Sequence, residues 1–195
     1  MHLIRVAAPV NSLITLEEAK HHLHVDFDDD DAPISRLVDA AAQRLDGPDG
    51  YLGRCLITQT WKLTLDCFPP EITLPLPPCQ SISSITFVDP DGATQTLDPS
   101  GYQSIGLGGT DPTRIRPAFG RSWPSVRTMP EAIAITFVAG YGDNPQDVPE
   151  PIRAAALLRV GHLYEHRESV VTGDSVAGLP LGEDDLTRNY RVWGF

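Results

Sequence analysis

Asp28-Asp29-Asp30-Asp31-Ala32-Pro33, followed by Ile34, Leu37, Val38, Ala41 and Leu45, is the stretch on which the fold reading turns. Four carboxylates beside a proline suit a first helical turn, where the positive end of the helix dipole favours anions and the missing proline N–H costs nothing. The apolar residues then recur at i, i+3, i+4, i+7 and i+11, one stripe at helical period. A helix over 33–45 is therefore expected, closed by Gly47-Pro48-Asp49-Gly50. Just upstream, Thr15-Leu16-Glu17-Glu18 has the spacing of a capping box and predicts a short helix over 16–24. A third helix is expected over 151–168, opened by Pro149-Glu150-Pro151 and striped by Ile152, Ala156, Val160, Leu163 and Tyr164.

Between the second and third helices the texture changes. From Leu56 to Gly142 prolines are frequent, β-branched residues alternate with polar ones and turn dipeptides recur, which predicts a β-rich insert. Residues from Ile57 to Leu65 alternate well enough for a half-buried strand. Ile82 to Val88, the turn Asp89-Pro90-Asp91-Gly92 and Thr94 to Leu97 read as a hairpin. Gly106 to Pro112 reads as a loop and Ala132 to Ala139 as a strand. The fold class is α+β, a small helical core with a β-rich insert. The expected division is a helical part over 1–55, the insert over 56–142 and a C-terminal helix with tail over 143–195, the helical parts sharing one core.

Composition narrows the function. The chain has 195 residues, 41% of them hydrophobic, enough to bury a core without disulfides or a structural metal. No apolar run approaches the roughly 20 residues that cross a bilayer. The first ten residues lack the apolar region of a secretory leader, so a cytoplasmic origin is expected. Fifteen Lys and Arg against 26 Asp and Glu leave a net charge of −11, which repels phosphate backbones unless the cations cluster. Cys55, Cys67 and Cys79 fit no metal or disulfide spacing and are expected to be reduced and buried.

Candidate chemistry is sparse. His21, His22 and His24 beside the Asp run suggest a metal, but they do not share one helical face and form no H-E-x-x-H pattern. The Asp run lacks the glycine and the distal glutamate of a calcium loop. Gly106 to Gly109 is neither a dinucleotide fingerprint nor a phosphate loop, and no nucleophile elbow is present. No catalytic residue, metal ligand or cofactor site is assigned. Trp61 and Trp123 are expected in the core, whereas Trp193, near the chain end, fits a core or a partner pocket equally well.

The order of segments carries more than any one of them. Leu16 to Leu23, the acidic run, the Ala40-Ala41-Ala42 helix and Leu52-Gly53-Arg54-Cys55-Leu56-Ile57-Thr58-Gln59-Thr60-Trp61 resemble the head-tail connector (adaptor) proteins of tailed bacteriophages and gene transfer agents. Ala139-Gly140-Tyr141-Gly142, Val148 to Ile152, His162 to Glu168 and Asn189-Tyr190-Arg191-Val192 resemble the family's later blocks, in the same order. Pro69 to Pro78 and Ser169 to Gly182 depart from the pattern. The resemblance implies a non-enzymatic virion neck protein, assembled from the bacterial cytoplasm. Its partners would be further copies of itself in a ring, typically of twelve, the portal protein, and a downstream neck or tail component, with DNA passing through the lumen without specific binding and no membrane contact. Tyr190, Arg191, Trp193 and Phe195, an aromatic terminus after a Gly-rich connection, are the expected portal or partner docking residues, on a segment that orders on binding. Two other readings compete: a metal-dependent hydrolase using the His21 to Asp31 region, and a binding module acting through the β-rich insert. Titration calorimetry with divalent ions separates the hydrolase, for which saturable micromolar heat is expected.

Overall fold

The computed structural model describes residues 1–166 and 182–193. The chain forms two compact units, one of strands (Met1–Val10 with Thr58–Tyr141) and one of helices (Asn11–Ile57 with the described residues from Gly142 on).

The helical unit is built on the expected elements. Helix α1 spans Leu16–Leu23, and its capping box is formed: the Glu18 backbone N–H donates to Thr15 Oγ1 at 3.1 Å, while Thr15 N–H donates to Glu18 Oε2 at 2.9 Å. His24 ends it in the left-handed conformation (φ 56°). Helix α2 spans Asp31–Leu45 and buries Ile34, Val38, Ala41 and Leu45, the predicted stripe without the half-buried Leu37. Helix α3, Glu150–Glu165, buries Ile152, Ala155, Ala156 and Val160. It ends three residues before the expected limit, with His166 as its C-cap. Helix α3 passes beside α1 at Gly161, where an added Cβ would make ordinary contact with the His22 imidazole at 3.5 Å. A last short helix, α4, spans Gly182–Thr187 and runs into a 3-10 turn, Arg188–Tyr190.

In the strand unit, β1 (His2–Ala7), β2 (Gln59–Leu65), β3 (Ile72–Thr73), β4 (Cys79–Val88), β5 (Thr94–Thr96), β6 (Tyr102–Ile105), β7 (Arg114–Pro117) and β8 (Ile133–Ala139) form two antiparallel sheets. A five-stranded sheet has the order β1-β2-β8-β4-β5, and a three-stranded sheet the order β3-β7-β6. The register between β2 and β8 sets Trp61 opposite Phe137, Leu63 opposite Ile135 and Leu65 opposite Ile133. Because side chains alternate along a strand, this register puts Trp61, Leu63, Ile85, Ile133, Ile135 and Phe137 on one buried face. Ile72, Leu74 and Ile115 bring buried side chains from the segments of the smaller sheet.

The hairpin turn is as predicted, and Asp89 organises it. Its carboxylate accepts the N–H groups of Asp91 and Ala93 and the Gln95 amide, contacts that hold its pKa below the usual carboxylate value, the Gln95 bond most of all. Gly92 takes φ 94°, a conformation open to glycine.

Three findings depart from expectation. Strand β1 occupies a stretch for which no element was predicted, because it is an edge strand with little buried surface and its partner lies some 60 residues along the chain. Cys67 is exposed, while Cys55 and Cys79 are buried. Trp123 is only half-buried: it stacks on Phe68 with ring centroids 4.7 Å apart and donates its indole N–H to the Pro69 carbonyl at 2.7 Å. Burial raises the Cys79 thiol pKa to about 11.

Truncating Phe137 to alanine should cost the strand unit about 3–5 kcal/mol, because a fully buried ring leaves a cavity that the paired strands cannot close. Urea denaturation followed by tryptophan fluorescence measures it. Of the three thiols, Cys67 alone should react within minutes with an aromatic disulfide reagent at pH 8. Cys55 and Cys79 should react on unfolding, Cys79 also being held protonated at that pH.

Candidate assembly surfaces

The C-terminal segment is where the sequence placed partner docking. Its first anchor is Glu183 at the start of α4, whose carboxylate accepts two hydrogen bonds from Arg159 on α3: Nε to Oε1 and Nη2 to Oε2, both 2.8 Å. Glu183 is only 8% exposed, so this bidentate pair is a largely desolvated tie between the two helices. Thr187 is fully buried and its hydroxyl donates back to the Glu183 carbonyl at 2.7 Å. Further along, the Val192 N–H donates to the Leu52 carbonyl at 2.9 Å, beside the turn that follows α2.

This segment places the expected docking residues unequally. Tyr190 is half-buried at the end of the 3-10 turn. Arg191 lies over the Tyr51 ring at 4.5 Å and over the Trp193 ring at 4.4 Å, so its guanidinium bridges two aromatic faces. Trp193 is 72% exposed. Phe195 lies outside the described residues, as does most of the expected flexible connection before α4. Residues 182–193 are already folded against the chain's own helices, which departs from a segment that orders only on binding. The Arg159–Glu183 pair, whose members stand 24 residues apart, is one of the contacts that hold the segment there.

A second concave surface lies between α2 and α3. Pro33, Arg36, Leu37, Leu163, Tyr164 and His166 line a groove of about 350 Å³. Tyr164 fixes one wall by donating its hydroxyl to Asp30 Oδ2 at 2.5 Å. At the other side of the unit, Glu18 serves two partners at once, since its second oxygen accepts from Arg153 of α3 while the first completes the cap of α1.

Among the described residues, no group of three or more His, Cys, Asp or Glu could hold a metal ion. Lys20 is bound by Asp28 and Asp31, each at 2.7 Å. The hydrogen bond from Lys20 lowers the pKa of Asp28, so this link operates at neutral pH and is lost as the pH falls below about 3.8 through the lowered value. Among the described residues no helix is long and apolar enough to cross a membrane.

Residues 13–88, which include the first two helices and the opening strands of the insert, match the family model "Phage gp6-like head-tail connector protein". The head-tail connector resemblance holds over that segment. This family comprises structural connectors of phage and phage-like particles and is not a family of enzymes. A likeness in fold extends over the whole chain. A chain from a structure titled "Virion of native gene transfer agent (GTA) particle" is similar at a TM-score of 0.79 and 23% identity, with 100% of this chain and 97% of that one covered. Chains from "Neck of empty GTA particle computed with C6 symmetry" (TM-score 0.77, 24% identity) and "Neck of native GTA particle computed with C12 symmetry" (0.76, 23%) have the same coverage. No curated protein sequence matches.

Replacing Glu183 with alanine should strand Arg159 and cost about 1–3 kcal/mol, less than a fully buried pair because Arg159 keeps some solvent. Hydrogen exchange of the amides at 183–192 should then speed up at least tenfold, with those of α2 unchanged.

Proposed function

We propose that this protein is a neck adaptor of a phage-like particle, whose copies form a ring of twelve beneath the portal, extend the DNA channel and receive the next neck or tail component. The observation that carries this reading is the connector match over residues 13–88, joined to the likeness of the whole chain to subunits from gene transfer agent necks. One of those necks was computed with twelvefold symmetry, which supports the ring number. The charge is compatible with a conduit: an excess of carboxylates along part of a lumen repels DNA and lets it slide. A ring also needs two different, mutually complementary patches on each subunit, since a head-to-tail contact closes only where the rotation allows.

In this reading the C-terminal segment meets the portal. Trp193 offers an exposed aromatic anchor, Arg191 holds that ring at a fixed place by stacking, and Tyr190 precedes them at the end of the 3-10 turn; Phe195 is a further aromatic two positions on in the sequence. The tie from Glu183 to Arg159 keeps the segment in position before contact, which reduces the ordering cost of binding.

Light scattering of the purified chain with and without its portal tests the assignment. A complex with the mass of the portal plus a ring of this chain is expected. A chain that leaves the portal unchanged, and a particle whose neck lacks it, would end the reading. Trp193→Ala should weaken portal capture at least tenfold with the melting temperature unchanged, because the removed ring is mostly in solvent.

A further inference from the structure

The net charge of −11 is divided very unequally. By sequence, residues 11–57 and 142–194 carry nine Lys and Arg against nineteen Asp and Glu, a net −10, whereas residues 1–10 and 58–141 carry six against seven, a net −1. Within the strand unit, residues 112–130 hold Arg114, Arg116, Arg121 and Arg127 and no acidic residue. Arg114 and Arg116 stand on the face of β7 opposite the buried Ile115 and share a single carboxylate, Glu71. Arg121 is exposed and lies near Asp98.

Strand β7 leads into a tight turn, in which Arg121 N–H donates to the Ala118 carbonyl at 2.9 Å and Gly120 takes φ 72°. At its tip Phe119 is 99% exposed. The turn is held on both sides: Ala118 N–H donates to the Gly101 carbonyl at 3.0 Å, Trp123 is stacked on Phe68 and bonded to Pro69, and Arg127 N–H donates to the Val88 carbonyl at 2.9 Å. A whole phenyl ring is thus held in water on a braced turn flanked by arginines. Aromatic and arginine side chains on a preorganised support are the residue types that dominate protein interfaces.

We propose that this turn, with Phe119 and the guanidinium groups of Arg114, Arg116 and Arg121, grips the helical unit of a second copy at the loop carrying Asp26, Phe27 and Asp29. The proposal rests on the ring reading and names one of its two complementary patches. Charge selects the occupant: a net-positive turn faces a unit of −10, and among the described residues Asp26 and Asp29 make no ion pair, whereas Asp28 and Asp31 hold Lys20. The apolar anchor selects it too. Phe27 is 53% exposed between those acids and gives Phe119 a partner that the phosphate exterior of a DNA duplex does not. Because the two patches differ and sit on different units, the contact is head-to-tail and can propagate round a ring.

Two charge-reversal variants of the full chain test this, Arg114→Glu/Arg121→Glu and Asp26→Arg/Asp29→Arg, with Arg116 left in place to keep Glu71 paired. Assembly is followed by sedimentation velocity of the chain alone and with its portal, and fold by thermal melting. Each variant alone should assemble at least tenfold more weakly than the native chain, and an equimolar mixture should recover, since each reversed face then meets its reversed complement. Phe119→Ala, which removes only exposed surface, should weaken assembly with no change in melting. Native assembly in the arginine variant, including a case where only duplex DNA binding is lost, would overturn the proposal, as would a mixture that fails to recover. A native chain that never assembles, alone or with the portal, would instead overturn the ring reading beneath it.

Discussion

The parallel bridge between Ile57 and Gly142 is the constraint on which the two-unit architecture depends. The chain leaves the helical unit at the first of these residues and re-enters it at the second, so everything in between is an excursion whose ends are held together. Closing a long loop costs entropy that grows only slowly with its length, so a pinned excursion of this size is affordable once its own core forms. Inside it, the register of β2 on β8 begins two residues beyond the pin, with Gln59 opposite Ala139. The return is shaped with equal economy. Gly142 has no room for a side chain, since a Cβ there would fall 2.3 Å from the Asp147 carboxylate that caps the turn before α3.

With the insert pinned, the helical unit packs as though its two sequence halves were continuous. Glu18 shows how closely the halves are joined, for one carboxylate completes the cap of α1 and binds Arg153 of α3. Arg159 and Glu183 repeat the device at the other end of α3. Both ties use an arginine of α3, so this helix is the strut against which the first helix and the C-terminal segment are held.

Much of this was legible in the sequence, for identifiable reasons. The Thr15–Glu18 box, the stripe from Ile34 to Leu45 and the Asp89–Gly92 turn are local signals, readable within a dozen residues. What escaped was set by distant partners. Strand β1 has an irregular burial pattern and exists because β2 offers it an edge. Strands β3, β6 and β7 are two to four residues long and too short for alternation to register. Cys67 looked like its two buried fellows, but it follows the end of β2, where the chain turns into solvent. The tie that holds the tail was not legible, because nothing near Glu183 announces Arg159. The arginines of 112–130 were hidden by a whole-chain charge that says nothing about where its few cations stand.

The unequal division of charge has a kinetic side. A molecule with nearly all its net charge on one half carries a permanent electric moment, and in the field of a like neighbour it experiences a torque before any surfaces meet. Encounters are then biased in orientation at separations up to about a screening length, roughly 8 Å at physiological salt, and that bias fades as salt is added.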